Sequence, residues 1–371
     1  MTTHGTTFAV VTGGGTSGHV LAAVAVADAL VARGHDRQAI HYVGTSRGVE
    51  QRLLPPTGYD HTLLDVVGLQ RSLSIRNLAF IPKLIHSTWQ AVRLIRSLSP
   101  KVVINVGGYA SFPATAAAML CRVPIVVISY DRRPGLVSKL VARRAAASAV
   151  AFEGSTLPRA QLTGAPVRQA VLAVDRRADR VSARAQLDLP SDRFVVAVFG
   201  GSLGAKRLND VTSGAVEQLG DRSDLAVYHV VGERNLADAA PGRDGSRGIM
   251  YRVVGYEDRM PLVYAAADLM MTRAGAATIA EIATVGMPAV IVPWPGAAEN
   301  HQVDNARELS DQHGAILIEE RDLTTERLVG EITALMSDSG SLEAMSLAAA
   351  AIGARHRSRA LVDLIERVAR R

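Results

Sequence analysis

Short apolar runs alternate along this chain with longer segments of helical period. Residues 8–11, 40–43 and 102–106 are rich in β-branched and aromatic side chains, whereas residues 20–32 carry apolar side chains at helical spacing and end just before Gly34. Short strands separated by helices are typical of βαβ units, whose parallel sheet is buried on both faces. The pattern therefore predicts an α/β protein.

The same pattern starts again in the second half of the chain. Phe194–Phe199 predicts a strand, a glycine-rich loop follows at residues 200–205, and a helix is expected from about Lys206. We therefore expect two Rossmann-like domains with parallel sheets, residues 1–165 and 166–350, joined near the Arg- and Asp-rich stretch 166–191. Ligands of such domains bind at the carboxyl ends of the strands, here facing a central cleft.

Composition narrows the classes of function. The 371 residues suit two domains, and the single cysteine, Cys121, excludes an internal disulfide and a multi-cysteine zinc site. The formal net charge is +6, from 41 Lys and Arg against 35 Asp and Glu, and nearly all of the cations are Arg. We interpret this excess mainly as a solvated surface and expect no nucleic-acid partner.

Neither a signal peptide nor a membrane span is predicted, because the first residues are polar and no apolar stretch reaches about 18 residues. We expect a cytoplasmic protein, or one bound peripherally to the inner face of the cell membrane. The candidate contact is residues 69–98 (Leu69 to Leu98), where apolar residues such as Trp89 lie among cations such as Lys83 and Arg93. The alternative is a helix that packs on the sheet.

The first glycine-rich loop fits the dinucleotide fingerprint. Gly13, Gly15 and Gly18 form G-x-G-x-x-G between a strand and a helix, where backbone N–H groups suit an anion. The fingerprint also needs an acid at the end of the second strand, and residues 42–47 contain none. An NADP site with Arg47 on the extra phosphate stays open. His19, in the first helical turn, is a candidate general base or a packed side chain.

Four further segments combine glycines or hydrogen-bonding side chains at predicted strand ends. Each segment is also compatible with an ordinary turn or helix cap. In the first, Gly107 and Gly108 precede Tyr109, and in the second, the glycine loop with Ser202 is a candidate pyrophosphate cradle. In the third, Thr278 and Glu281 lie at the start of a predicted helix, where Glu281 is suited to a ribose diol. In the fourth, His301 and Gln302 could hydrogen-bond sugar hydroxyls.

Taken in order, the motifs resemble one family over residues 8 to about 320. They are residues 14–19, 43–50, 107–109, 163–168, 200–205, 264–268, 273–276 with Thr278 and Glu281, and 301–302 with Asn305. With these motifs the chain resembles the MurG family of peptidoglycan glycosyltransferases, which add N-acetylglucosamine to lipid I.

The resemblance implies a GT-B fold and an inverting transfer from a UDP-sugar, with neither a metal nor another cofactor. It implies that the segment 351–371 packs back on the N-terminal acceptor domain, and that the C-terminal domain holds the donor. By motif match, the donor residues would be Arg168, Ser202, Gly204, Thr278, Glu281 and Gln302. The acceptor and phosphate loops would contain Gly14, Gly15, Gly18, Gly108, Tyr109, Ser129 and Tyr130, with His19 as the base.

The chain departs from the family at two places. The family's His-Glu-x-Asn acceptor motif is replaced by Ile128, Ser129, Tyr130 and Asp131, which makes Asp131 a second candidate base. In the uracil segment, Glu257 stands where an apolar residue is usual, which weakens the expected uracil contact. These changes favour a paralogue that glycosylates an intermediate of a specialised metabolite, as in antibiotic biosynthesis.

Three alternatives are kept beside this interpretation. The chain could be a true family member that converts lipid I to lipid II with UDP-N-acetylglucosamine. An NADP-dependent oxidoreductase would use only the first glycine loop. A non-catalytic sugar-nucleotide binder would bind the donor without turnover.

Overall fold

The computed structural model describes residues 7–66, 80–201, 204–297 and 300–370 and divides into two compact units. Unit 1 comprises Met1–Gln169 and the segment from Arg355 onwards, and unit 2 comprises Ala170–Ala354. The chain therefore leaves unit 1 a few residues after the expected boundary and re-enters it a few residues after residue 350.

Unit 1 is built on a parallel sheet of seven strands in the order β3-β2-β1-β4-β5-β6-β7. The strands are β1 Ala9–Thr12, β2 Ile40–Thr45, β3 Asp60–Leu64, β4 Val102–Asn105, β5 Ile125–Ser129, β6 Ala147–Val150 and β7 Ala160–Leu162. The helices are α1 Ser17–Ala32, α2 Glu50–Leu53, α3 Phe80–Leu98, α4 Phe112–Cys121, α5 Leu136–Ala142 and, from the end of the chain, α14 Ala360–Ala369.

Unit 2 has a seven-stranded sheet in the order β10-β11-β9-β8-β12-β13-β14. The strands are β8 Phe194–Phe199, β9 Leu225–Val230, β10 Arg243–Asp244, β11 Met250–Val254, β12 Leu269–Thr272, β13 Ala289–Ile291 and β14 Ile316–Leu317. The helices are α6 Gln169–Leu172 at the boundary, α7 Arg180–Gln186, α8 Lys206–Gln218, α9 Met260–Ala266, α10 Ala276–Val285, α11 His301–Ser310, α12 Thr325–Ser337 and α13 Ser339–Gly353.

The predicted α/β class with parallel sheets is confirmed, with one local exception. The short edge strand β10 pairs antiparallel with β11. The apolar pattern also missed β3 and β7, because both are edge strands with mostly exposed or half-buried side chains and so lack a continuous apolar run.

Helix α14 packs on the first sheet through one apolar face. Leu361, Leu364, Ile365 and Val368 recur at helical spacing and are buried, and the helix contacts β4, β5 and β6. Its polar side pairs with α1 and the turn after it, through Arg33 with Asp363 (Nη2–Oδ1 2.9 Å). The end of the chain is therefore part of the core of unit 1.

The Arg- and Asp-rich stretch 166–191, expected as a linker, is mostly integral to unit 2. The Arg184 side chain on α7 is only 1% exposed. It donates to the carbonyls of Ala266 (3.0 Å), Ser191 (2.8 Å) and Arg193 (2.9 Å) and to Asp268 Oδ2 (2.8 Å). A guanidinium with this many acceptors ties the stretch to the sheet, so the residues that join the units are fewer than the composition suggests.

Candidate active site

The first two glycine loops of unit 1 cross at the carboxyl ends of the adjacent strands β1 and β4. A Cβ atom built on Gly108, whose φ is 79°, would lie 2.0 Å from the Gly14 carbonyl oxygen. A Cβ on Gly15, whose φ is 89°, would lie 2.3 Å from Tyr109 Cε1. This crossing therefore requires glycine at both positions, whereas Gly18 has open space around it.

The second of these loops is held by an asparagine that the sequence analysis did not single out. Asn105, the last residue of β4, is fully buried and accepts the Gly107 N–H at 3.0 Å. Its amide nitrogen donates to Ser111 Oγ (3.0 Å) and Thr115 Oγ1 (2.8 Å) at the start of α4. The sequence does carry a signal for this function, since Asn105 is a polar amide at the end of an otherwise apolar strand.

His19 lies at the surface of the first loop with its ring orientation fixed. Its Nδ1 is 2.9 Å from Thr16 Oγ1, and its Cδ2 edge is 3.2 Å from where a Cβ on Gly107 would be. The Tyr130 ring meets it edge-on at 6.1 Å between centroids, and the Tyr130 hydroxyl donates to the Gly18 carbonyl at 3.3 Å. The half-buried imidazole is thus placed by the glycine loops on one side and by Tyr130 on the other.

The replaced acceptor motif changes mainly buried positions. Ile128 and Ser129 are the last two residues of β5, and they and Tyr130 are each less than a tenth exposed. Burial raises the pKa of Tyr130 well above its ordinary value, so its hydroxyl stays protonated. Asp131 is half-buried in the following turn. Of the four positions of the motif, Asp131 is therefore the one placed to present a charge at the surface.

The geometry does not favour a dinucleotide at the first loop. The Gly15 N–H, which would face a pyrophosphate, donates to Glu50 Oε1 at 2.9 Å. Arg47, which an NADP site would need for the extra phosphate, pairs with Asp65 through Nε and through Nη2 at 3.1 Å from Oδ2. Both groups that this alternative requires are engaged within the protein.

In unit 2 the second glycine loop crosses the end of a neighbouring strand in the same way. A Cβ on Gly204, whose φ is 73°, would lie 2.1 Å from the Val231 carbonyl oxygen. That oxygen accepts from Asn235 Nδ2 (2.8 Å) and from Asn209 Nδ2 (3.0 Å) on α8. Ser202, the predicted phosphate ligand, lies outside the described residues.

A buried histidine that no sequence motif indicated, His229, supports this crossing. His229 Nε2 is 3.1 Å from Asn209 Oδ1, and its Nδ1 is 2.8 Å from the Tyr251 hydroxyl. Since Asn209 Oδ1 only accepts, Nε2 carries the proton and Nδ1 accepts from Tyr251. Burial lowers the pKa of His229 to about 4, so the neutral ring completes the network.

Glu281 and Thr278 lie in the first turns of α10. Glu281 is only 9% exposed, and its Oε2 accepts from the Tyr264 hydroxyl on α9 at 2.8 Å. Thr278 is half-buried beside Gly275, which caps the helix. A carboxylate oriented by a tyrosine can accept hydrogen bonds from hydroxyl groups.

The turn before α10 is held by residues of α11. Gln302 Oε1 accepts from the N–H groups of Ala274 (3.3 Å) and Trp294 (2.9 Å), and Asn305 Nδ2 donates to the Ala274 carbonyl at 3.3 Å. Because its oxygen already has two donors, Gln302 would offer its amide nitrogen to a sugar hydroxyl.

The buried Arg273 fixes the same turn from the other side. Its Nη1 donates to the carbonyls of Val292 (3.2 Å) and Pro293 (3.3 Å), and its Nη2 pairs with Glu320. The described bonds of Arg273, the first residue of the motif 273–276, are therefore made within the protein.

Glu257, the unusual residue of the expected uracil segment, points into unit 2. Its carboxylate accepts from the Tyr228 hydroxyl and from the Arg259 N–H (2.8 Å) and Nε (3.0 Å). Burial opposes its ionisation, but the bonds from Arg259 and Tyr228 outweigh burial and lower its pKa. Glu257 therefore presents little charge at the surface, and the weaker uracil contact stays a prediction.

One predicted donor residue lies in the other unit. Arg168 is half-buried and belongs to unit 1 rather than to unit 2.

Within the described ranges, no group of three or more His, Cys, Asp and Glu side chains is arranged to hold a metal ion.

Within residues 69–98, the described part of helix α3 has one packed side and one exposed apolar side, and the membrane contact stays a prediction. Ser87, Ala91 and Ile95 are buried, and the helix packs on α4. On the other side Ile85 is 64% and Trp89 is 50% exposed, and the Arg93 guanidinium lies 3.4 Å from the centre of the Trp89 ring. Residues 67–79, which include Leu73, Ile75 and Leu78, lie outside the described residues.

No helix among the described residues is both long and apolar enough to span a bilayer.

Two family models together match most of the chain. Residues 9–150 match the glycosyltransferase family 28 N-terminal domain, and residues 195–365 match the glycosyltransferase family 28 C-terminal domain. The first match contains His19, Glu50 and Tyr109, and the second contains Gly204, His229, Glu281 and Gln302.

Curated relatives match over nearly the full length. A protein of Mycolicibacterium vanbaalenii is 39% identical over 98% of this chain and 90% of its own, and one of Mycobacterium sp. (strain JLS) is 40% identical over 99% and 97%. Both are named UDP-N-acetylglucosamine--N-acetylmuramyl-(pentapeptide) pyrophosphoryl-undecaprenol N-acetylglucosamine transferase.

Solved structures show the same fold. Acinetobacter baumannii MurG is 27% identical, with a TM-score of 0.72 over 98% of this chain and 99% of that one. The glycosyltransferase of kitacinnamycin is 18% identical, with a TM-score of 0.68 over 97% and 98%, and this likeness concerns the fold alone. The predicted GT-B fold and the resemblance to the MurG family are confirmed.

The buried His229 predicts a specific dependence of stability on pH. Its pKa is 6.5 in the unfolded chain and about 4 in the folded one, so the unfolded state binds more protons in this window and stability falls on acidification. The linkage amounts to about 2 kcal/mol of unfolding free energy between about pH 7 and pH 5. His229→Gln should remove that part of the loss, as measured by urea unfolding at both pH values.

The control is His86→Gln, at an exposed position of α3, which should keep the wild-type pH dependence. An unchanged loss of stability in His229→Gln would contradict the assignment of a neutral, buried ring.

Proposed function

The chain belongs to the MurG family within glycosyltransferase family 28, and from this we propose that it transfers N-acetylglucosamine from UDP-N-acetylglucosamine to N-acetylmuramyl-(pentapeptide) pyrophosphoryl-undecaprenol. The observation that carries the proposal is the identity of about 40% to relatives of that name over nearly the whole chain. The loops described above support the proposal, because they lie at the carboxyl ends of parallel strands, where ligands of this kind of fold bind.

The preference for a specialised-metabolite acceptor is not supported. The full-length curated relatives carry the name of the lipid-linked transferase, whereas the kitacinnamycin enzyme shares only the fold at 18% identity. The alternative, a true family member acting on lipid I, is therefore the better interpretation. Three of the four positions of the replaced motif are buried, so the replacement alters the surface mainly at Asp131.

We assign the donor to unit 2. Glu281, oriented by Tyr264, would accept from the ribose hydroxyls, and the Gln302 amide would donate to a sugar hydroxyl. The diphosphate would lie at the glycine loop that ends at Gly204 and at the α8 N-terminus, with Ser202 as a further ligand. As the anomeric carbon–oxygen bond breaks, the leaving diphosphate gains charge, and N–H groups fixed in advance stabilise that charge.

We assign the acceptor to unit 1, with His19 as the general base. The attacking hydroxyl loses its proton as its oxygen bonds the anomeric carbon, and UDP leaves from the opposite face. For Nε2 of His19 to take this proton, Nδ1–H must donate to Thr16 Oγ1, and their 2.9 Å separation allows that tautomer. Asp131 is the second candidate.

A lipid-linked acceptor also gives the exposed side of α3 a function. Pro82, Ile85, His86 and Trp89 border an apolar surface cavity of about 460 Å³, and Arg93 lies on the Trp89 ring. An apolar surface with cations beside it binds anionic bilayers through both effects. We propose that this side of α3 rests on the anionic membrane that holds the acceptor.

UDP release should follow addition of the lipid-linked acceptor with UDP-N-acetylglucosamine. We expect turnover at least roughly tenfold above that with soluble acceptors, because the lipid and diphosphate contribute binding energy. Turnover confined to soluble acceptors would reject the proposed acceptor.

Glu281→Gln should raise KM for the donor, by about tenfold for one lost charge-assisted hydrogen bond. Failure of UDP to raise Tm of the wild-type protein would reject the donor.

His19→Ala should lower kcat by a factor of about 10² to 10⁴, the usual contribution of a general base, and leave KM for the donor within about twofold. Asp131→Asn removes the competing carboxylate with little change in volume and should retain most of kcat. Steady-state kinetics with both variants decide between the two groups, since a loss confined to Asp131→Asn would move the base to that residue.

Trp89→Ser should weaken binding to vesicles that contain phosphatidylglycerol by roughly tenfold, because it removes about 1.5–3 kcal/mol of apolar burial. Sedimentation with these vesicles and with pure phosphatidylcholine separates the apolar and charge contributions. Trp294→Ser is a matched control, since Trp294 is 51% exposed in unit 2. Equal loss of binding in the two variants would exclude a specific function for α3.

A further inference from the structure

A fully buried carboxylate lies directly beneath the first glycine loop. Glu50 begins α2 and has no exposed surface. Its Oε1 accepts from the N–H groups of Gly15 (2.9 Å) and Thr45 (3.3 Å). Its Oε2 is buried and has no hydrogen-bond partner among the described residues. Burying such a group is costly, so its position calls for a physical reason.

The surrounding glycines are shaped to this carboxylate. A Cβ on Gly14 would lie 2.0 Å from Glu50 Oε1, and a Cβ on Gly48 would lie 2.0 Å from Oε2. A Cβ on Gly44 would be 3.1 Å from Glu50 Cγ. In a loop of this type glycines usually make room for an anionic group of a ligand, whereas here they make room for the Glu50 side chain of the protein itself. Glu50 therefore takes the place of a bound phosphate at the Gly15 N–H.

Contacts lead from this carboxylate to His19 in two steps. Gly15 is held between Glu50 on one side and the Tyr109 ring on the other. The next residue, Thr16, caps α1 and places its Oγ1 2.9 Å from His19 Nδ1. If Gly15 moved, Thr16 would move with it, and the imidazole would lose the contact that orients it.

We propose that Glu50 is a positioning residue, which holds the Gly15 N–H with a buried carboxylate oxygen and thereby fixes Thr16 and the ring orientation of His19. This inference deepens the proposed function and rests on it where activity is measured. It also means that an acceptor phosphate does not use the Gly15 N–H.

The test compares Glu50→Ala with Glu50→Gln, which keeps an oxygen where Oε1 accepts. Glu50→Ala should lower kcat by roughly a hundredfold, the cost of a small misplacement of a catalytic group, and leave KM for the UDP-sugar within about twofold. Glu50→Gln should restore kcat to within about fivefold of wild type. Equal impairment of the two variants, or full activity of Glu50→Ala, would overturn the proposal.

A second measurement does not depend on turnover. Hydrogen exchange of the Gly15 amide should be faster by at least on the order of tenfold in Glu50→Ala and near the wild-type rate in Glu50→Gln. If Glu50→Ala does not fold, Glu50→Asp takes its place, because the shorter side chain withdraws the carboxylate and should give the same two losses. Unchanged exchange in the folded variant would refute the contact.

The control is Glu366→Gln, which removes a partly buried carboxylate on α14 that pairs with His35. It should leave both kcat and Gly15 exchange at wild-type values, and a change in either would show that the Glu50 effects are not specific. Absence of UDP release by the wild-type protein would instead defeat the proposed function, while the exchange experiment would still decide whether Glu50 holds the loop.

Discussion

In each unit, two backbone segments cross at the carboxyl ends of adjacent strands with no room for a side chain. Gly108 lies against the Gly14 carbonyl in unit 1, and Gly204 lies against the Val231 carbonyl in unit 2. Both glycines have positive φ, so any other residue would meet a steric clash and a strained backbone together. The strands on either side are buried on both faces, which leaves these crossings and the helix starts beside them as the positions where chemistry can be placed.

Each crossing is stabilised by polar side chains that point inward. Asn105 and Glu50 bind backbone groups of the loops in unit 1, and Asn209, supported by the neutral His229, does so in unit 2. The same principle holds for arginine, since Arg184 and Arg273 satisfy several carbonyls apiece. Buried groups of this kind cost free energy unless they are paired, and paired they select one arrangement of the loops.

The sequence predicted the features that follow from local pattern. Repeated strand, glycine loop and helix indicated two α/β domains, and the motif order indicated the family. The sequence did not reveal strands β3 and β7, because their exposed side chains give no continuous apolar run. It also did not reveal that residues 166–191 belong to the core of unit 2, because an arginine such as Arg184 is expected at the surface unless its hydrogen-bond acceptors are known. Glu50 and His229 were missed for a related reason: their neighbours lie tens of residues away, and spacing along the chain carries no trace of those contacts.

The two units differ in how firmly their proposed site residues are tied to the backbone. In unit 2, Gln302 and Asn305 bind both sides of Ala274, so replacing either would disturb the turn that begins α10. In unit 1, His19 is oriented by Thr16 and Tyr130, and Asp131 lies two residues after the end of β5. Side chains on loops can change without altering the register of a sheet. Asp131 lies in such a loop, so a change at this position is compatible with an unchanged sheet. The second departure from the family, Glu257 of unit 2, is instead tied into its unit by Tyr228 and Arg259.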